Sequence, residues 1–179
     1  MRYVSKHTQI LLPTVLDALE VDDATEEDDS NACYILMEVV PWSLIIDIWD
    51  GLEEDARQSI HSQLYGFLSQ LQDLKFETPG PIGGGISECA LFTAYGARPF
   101  HSPKDLEDWY NDRLLVSHDF GHAKYLSAGA FLGTFTTLVM CHLDLNLRNV
   151  VVDKDGKVWL LDWGLAGAYP PWFEEARLA

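Results

Sequence analysis

The chain has 179 residues, 47% of them apolar, which is enough for one domain with a sizeable core. Its 28 acidic side chains against 12 Lys and Arg give a formal net charge of −16, an argument against nucleic acid or an anionic membrane as partner, since both need basic surface. No basic-then-apolar leader opens the sequence and no run approaches the roughly 20 apolar residues of a membrane span. Cys33, Cys89 and Cys141 are odd in number and widely spaced, so neither a disulfide framework nor a zinc site is indicated and a reducing, cytoplasmic setting is expected.

Residues 1–9 read as the last turns of a helix. A strand-like run starts at Val15, after Pro13. An acidic stretch, residues 20–29, has almost nothing to bury and reads as a solvated loop between two strands. Residues 33–40 (CYILMEVV) form a continuous apolar run typical of a buried strand, ending before Pro41-Trp42. The two strands are expected to pair antiparallel across the acidic loop. Residues 43–49 read as a short helix, and Asp50 with Glu53 three positions on resembles a capping box. Ala56, Ile60, Leu64, Phe67, Leu68, Leu71 and Leu74 then recur at three- and four-residue steps, one apolar face over many turns.

Residues 77–89 are broken by Pro79, Pro81 and Gly83-Gly84-Gly85. No strand precedes the glycines and no Lys-Ser/Thr follows them, so they read as a flexible loop and not as a phosphate loop. Ser102-Pro103-Lys-Asp105 marks the next helix start, with Leu106, Trp109, Tyr110 and Leu114 on its buried face. The literal D-F-G at Asp119-Phe120-Gly121 has no strand before it and is a decoy. The flanking His118 and His122 lack a third metal ligand, and Gly121 breaks their helix. Residues 135–141 are apolar and β-branched, a strand delivering His142, and Pro170-Pro171 precedes a final helix over residues 172–178.

The stretch that organises the rest is residues 142–164, HLDLNLRNVVVDKDGKVWLLDWG. Residues 150–152 and 158–161 are β-rich and are separated by Asp155-Gly156, a strong hairpin-turn signal. A hairpin of this length sets Asn149 and Asp162 side by side at its mouth, with Asp144 in the loop just before. Two carboxylates and an amide oxygen around one small volume suit Mg²⁺ carrying substrate phosphates. A calcium loop fits less well, because Asp153-Lys-Asp155-Gly lacks the remaining oxygen ligands and the late Glu.

H-x-D-x-x-x-x-N, a short hairpin and then D-W-G resembles the catalytic and metal-binding loops of protein-kinase-like phosphotransferases. The wording D-L-N-x-R-N is similar to the aminoglycoside phosphotransferase and choline kinase branch, in particular its fungal subset. The resemblance implies an α+β, protein-kinase-like fold. Residues 1–40 would be a two-strand remnant of the small lobe ending in the hinge, and residues 41–179 a mainly helical large lobe, incomplete at its C-terminus, that carries the catalytic hairpin. It implies Mg²⁺ and ATP-dependent phosphorylation of a small-molecule hydroxyl, with Asp144 as base, His142 bracing the loop, Arg148 facing the transferred phosphate, and Asn149 and Asp162 holding the metal. Met37 would lie behind adenine, and the backbone of Glu38 and Val40 would pair with its edge.

Leu143, where a small residue is common, and Gly164, where an acid is common, depart from the branch without removing a metal ligand. The glycine-rich strand–loop–strand and the strand Lys of a complete small lobe are not found in the sequence, since only Arg2 and Lys6 precede the acidic stretch. The expectation is therefore of an N-terminally truncated chain, impaired in turnover when alone and open to self-association through uncovered hinge-side surface. The alternative is a binding or scaffold protein that keeps the fold without catalysis.

Overall fold

The computed structural model describes residues 1–21 and 32–178. In chain order the elements are α1 (Arg2–His7), β1 (Val15–Val21), β2 (Ala32–Met37), β3 (Ser43–Leu44), α2 (Ile45–Ile48), a 3₁₀ turn (Trp49–Gly51), α3 (Glu54–Asp73), β4 (Lys75–Phe76), β5 (Gly80–Pro81), α4 (Pro103–Asp119), β6 (Leu138–Cys141), β7 (Val150–Val152), β8 (Val158–Leu160), β9 (Gly167–Tyr169) and α5 (Trp172–Leu178). The chain is thus α+β. No helix among the described residues is long and apolar enough to cross a membrane. Residues 22–29 of the acidic stretch lie outside the described residues.

The chain divides into two compact units, one of Met1–Leu68 with Asn146–Leu161, the other of Ser69–Leu145 with Asp162–Ala179. In the first, β1 and β2 pair antiparallel as the sequence predicts, Leu19 opposite Tyr34 and Ala18 opposite Ile35. The expectation of a buried strand fails. Tyr34, Ile35 and Leu36 are each more than half exposed, because this two-stranded ribbon has no third strand among the described residues and its apolar residues point to both faces.

The second sheet of this unit has the order β3-β7-β8. Val150 faces Leu160 and Val152 faces Val158, and Ser43 pairs on the outer side with Val152. Leu11 bridges to Trp159, and the Leu160 N–H donates to the Leu11 carbonyl at 2.9 Å. The turn closes on Asp153, whose Oδ1 accepts the backbone N–H of Asp155 and Lys157, with Gly156 at φ 76°.

Helix α3 follows the predicted apolar periodicity, burying Ile60, Phe67 and Leu71. Its start differs from the expected capping box. Asp50 lies in the 3₁₀ turn, and the Glu53 carbonyl accepts the first helical N–H groups, from Ala56 and Arg57. The Arg57 guanidinium satisfies the Trp49 and Asp50 carbonyls in front of the helix. The expected helix at residues 43–49 is reduced to the single turn of α2, because Ser43 and Leu44 are drawn into the sheet.

In the second unit a four-stranded antiparallel sheet runs β4-β6-β9-β5. β6 is buried along its whole length and pairs Val139 with Tyr169 and Cys141 with Gly167. A Cβ on Gly167 would lie 2.6 Å from the Gly80 carbonyl oxygen, so glycine lets β5 and β9 approach. Ser102 caps α4 by accepting the Asp105 N–H, and Pro103 takes its first position, both as predicted. Leu106, Phe135, Leu143, Tyr169 and Phe173 are buried together in the core. The Tyr169 and Phe173 rings stack at 5.3 Å between centroids.

Candidate active site

Strand β6 ends at Cys141 and delivers His142 and Leu143 into complete burial. A buried turn must satisfy its own backbone groups, and here a single acid does so. The Glu174 carboxylate accepts the His142 N–H at 2.6 Å and the Leu143 N–H at 3.2 Å from each oxygen. Arg177, three residues on, donates from Nε to the Leu143 carbonyl at 2.9 Å and from Nη2 to Asp144 Oδ1 at 3.4 Å. Spacing of three residues puts both side chains on one face of α5.

Leu143 needs this support. Its φ is 63°, a left-handed conformation that costs a branched residue about 1–2 kcal/mol. Asp162, at φ 55°, is in the same region, and Ala123 is the third such non-glycine among the described residues. Two of the three therefore belong to the motif, in keeping with the tendency of strained backbone to gather at functional turns.

His142 Nδ1 accepts the Asp144 N–H at 3.3 Å. The ring meets the buried Trp163 indole edge-on, with centroids 4.5 Å apart. His142, Asp144 and Trp163 are thereby tied together within the second unit. Asp162, also in this unit, is exposed, and its Oδ1 accepts the Gly164 N–H at 3.4 Å.

Burial raises the Glu174 pKa, while hydrogen bonds from Leu143 and His142 and the charge of Arg177 pull it back. A carboxyl with a raised folded-state pKa binds its proton more tightly when folded. Its charge therefore burdens stability above that pKa, and the burden lifts as pH falls through it toward the usual carboxylate range.

Asn149 and Arg148 belong to the first unit. The Asn149 N–H donates to the Asn146 carbonyl, and its own carbonyl accepts the Leu161 N–H at 2.8 Å, closing the hairpin one pair beyond Val150 and Leu160. Asp162 follows Leu161 in the chain. Arg148 is exposed, its N–H turned to Asn146 Oδ1, and no ion pair to its guanidinium occurs among the described residues. Of the predicted adenine contacts, Met37 ends β2 and is 38% exposed. The Glu38 N–H is committed to the Thr14 carbonyl, and the Glu38 side chain accepts from the Thr14 N–H and hydroxyl. Val40 lies beyond the ribbon and is half-buried.

Among the described residues no three His, Cys, Asp or Glu side chains form a metal-binding group. The decoy triplet sits where α4 ends, with Gly121 at φ 74° and His118 bonded to the Ala123 carbonyl. Glu174 and Arg177 were not foreseen. The sequence gives their helix, but no local pattern links it to a turn more than thirty positions earlier.

Compared with known families, the sequence matches the model of the phosphotransferase enzyme family, APH, over residues 1–179, and the chain belongs to that family. No curated protein matches it.

Proposed function

We propose that this chain transfers the γ-phosphoryl group of ATP to the hydroxyl of a small molecule. The observation that carries the reading is the formed hairpin, with Asn149 closing it and Asp162 next after Leu161, following in sequence a braced His142-Leu143-Asp144 turn in a phosphotransferase family member. Asp144 orients the acceptor hydroxyl and takes its proton as the new O–P bond forms and the bond to the β-phosphate oxygen breaks, releasing ADP. His142 braces this loop, and Arg148 offers its guanidinium to the transferred group. Met37 supplies apolar surface to adenine, with the Glu38 carbonyl and Val40 N–H toward its edge.

A carboxylate oxygen from Asp162 and an amide oxygen from Asn149 are hard donors, which suits Mg²⁺, and the exposed Asp162 carboxylate suits a ligand shared with phosphate. Asn149 and Asp162 would hold the ion. When bound it would neutralise charge on the phosphates.

The test is ADP release from Mg·ATP over a panel of alcohols and cationic sugars. Asp144→Asn is expected to lower turnover by about 10²–10⁴-fold and to spare nucleotide binding. Excess chelator is expected to abolish it. A second reading is a binding or scaffold protein that keeps this fold without turnover. Mg·ATP binding without Asp144-dependent ADP release would select it.

A further inference from the structure

We propose that Glu174 and Arg177 are positioning residues for Asp144, a two-sided clamp that fixes the two peptide groups flanking the Leu143 Cα and through them the direction of the Asp144 carboxylate; this rests on the phosphotransfer reading above. The geometry is specific. Glu174 holds the Leu143 N–H and Arg177 the Leu143 carbonyl, so both ends of one residue are fixed from one helical face. The residue so held is buried and left-handed, a state that Leu does not keep unaided. The His142 N–H is tied to the same carboxylate, so two successive backbone donors of the turn share one acceptor group.

The far end of the clamp touches the reacting group. Arg177 reaches one oxygen of Asp144, at 3.4 Å. Both side chains are about a quarter exposed, so the pair is neither sealed off nor a loose surface contact. An acid that only filled the core would be replaced without loss by an apolar residue of similar shape. Glu174 differs in that three hydrogen-bond contacts from two backbone donors converge on it.

The other ionisable groups around Glu174 are Arg177 and Asp144, with Cys141 and Cys89 nearby. Arg177 is the cation among them. Gln at 174 keeps shape and one acceptor oxygen and removes the charge. Asp keeps the charge and withdraws it by one methylene. Met at 177 keeps the stem and removes both donors.

The experiment uses the whole chain, in wild-type form and as Glu174→Gln, Glu174→Asp and Arg177→Met, with Mg·ATP as the probe. Three quantities are read: kcat and KM for ADP release, the far-UV spectrum, and hydrogen exchange at the His142 and Leu143 amides. Glu174→Gln and Arg177→Met are expected to lower kcat by about 10²-fold, as a misplacement of about 1 Å does, with KM for Mg·ATP changed less than about threefold. Amide exchange at 142 and 143 should quicken by about tenfold or more in Glu174→Gln, with the spectrum unchanged. Glu174→Asp should recover part of the loss.

An unchanged kcat, or a loss that tracks global unfolding in all three variants, overturns the proposal. If wild type shows no Asp144-dependent turnover, the phosphotransfer reading has failed; fast exchange in Glu174→Gln would then make Glu174 a structural brace, which also overturns the positioning role. Slow exchange at both amides in Glu174→Gln overturns the clamp whatever the activity.

Discussion

Two antiparallel ribbons in the first unit are built from much the same residues and have opposite fates. β1–β2 offers Leu16, Leu19, Tyr34, Ile35 and Leu36, all at least half exposed. β7–β8 offers Val150, Val151, Val158 and Leu160, all nearly inaccessible. Strand propensity cannot separate them, since both are rich in β-branched and aliphatic residues. The difference lies in what else each ribbon holds. β7–β8 gains a third strand from Ser43–Leu44, a bridge from Leu11, and the Gln63 side chain, whose amide donates to the Gly156 carbonyl and accepts the Val158 N–H. β1–β2 gains no third strand among the described residues. Burial is thus a property of neighbours, and an apolar run reports only the capacity for it.

The comparison can be broken most forcefully at Leu160. Leu160→Ala removes a fully buried side chain and is expected to cost about 2–5 kcal/mol, whereas Leu36→Ala on the open ribbon should stay within about 0.5 kcal/mol. Urea unfolding of the two variants measures both, and equal losses would show that the open ribbon is covered in solution. A smaller effect is expected at Gln63. Gln63→Ala leaves the Val158 N–H, in a buried residue, without its acceptor, at a cost of about 1–3 kcal/mol by the same measurement.

Gly156→Ala comes next. At φ 76° with open space around its Cα, the penalty is conformational alone, about 1–2 kcal/mol. The smallest thermodynamic effect belongs to the paired change Ile35→Thr with Leu36→Ser. It should leave the unfolding midpoint nearly unchanged yet reduce light scattering at high protein concentration, because it removes exposed apolar surface. Scattering that does not fall would show that the ribbon takes no part in association.

The same contrast marks how far the sequence could be read. Elements announced by periodicity or by local chemistry were legible: α3 from its apolar stripe, α4 from Ser102 and Pro103, and the hairpin from its valines and Asp155-Gly156. The pairing of β1 with β2 was legible too, because the acidic stretch between them had nothing to bury. Their exposure was not, since it depends on layers that no single run encodes. The two-residue strands β3, β4 and β5 were equally hidden, being too short to show a period and existing only through partners far along the chain. At the site, His142, Asp144, Asn149 and Asp162 stand out by order and spacing. Glu174 and Arg177 carry no such mark, because their meaning comes from a turn that another part of the chain brings to them.

That dependence has a counterpart in time. Glu174 lies 32 residues after His142, and a ribosome adding about 5–20 residues per second needs roughly 2–6 s to cover the interval. β6 and the hairpin residues are synthesised within that interval or before it, while the two amides of the turn still lack their carboxylate. A nascent chain can therefore own every letter of its motif while the His142–Asp144 turn is still unbraced, and the brace arrives only with α5.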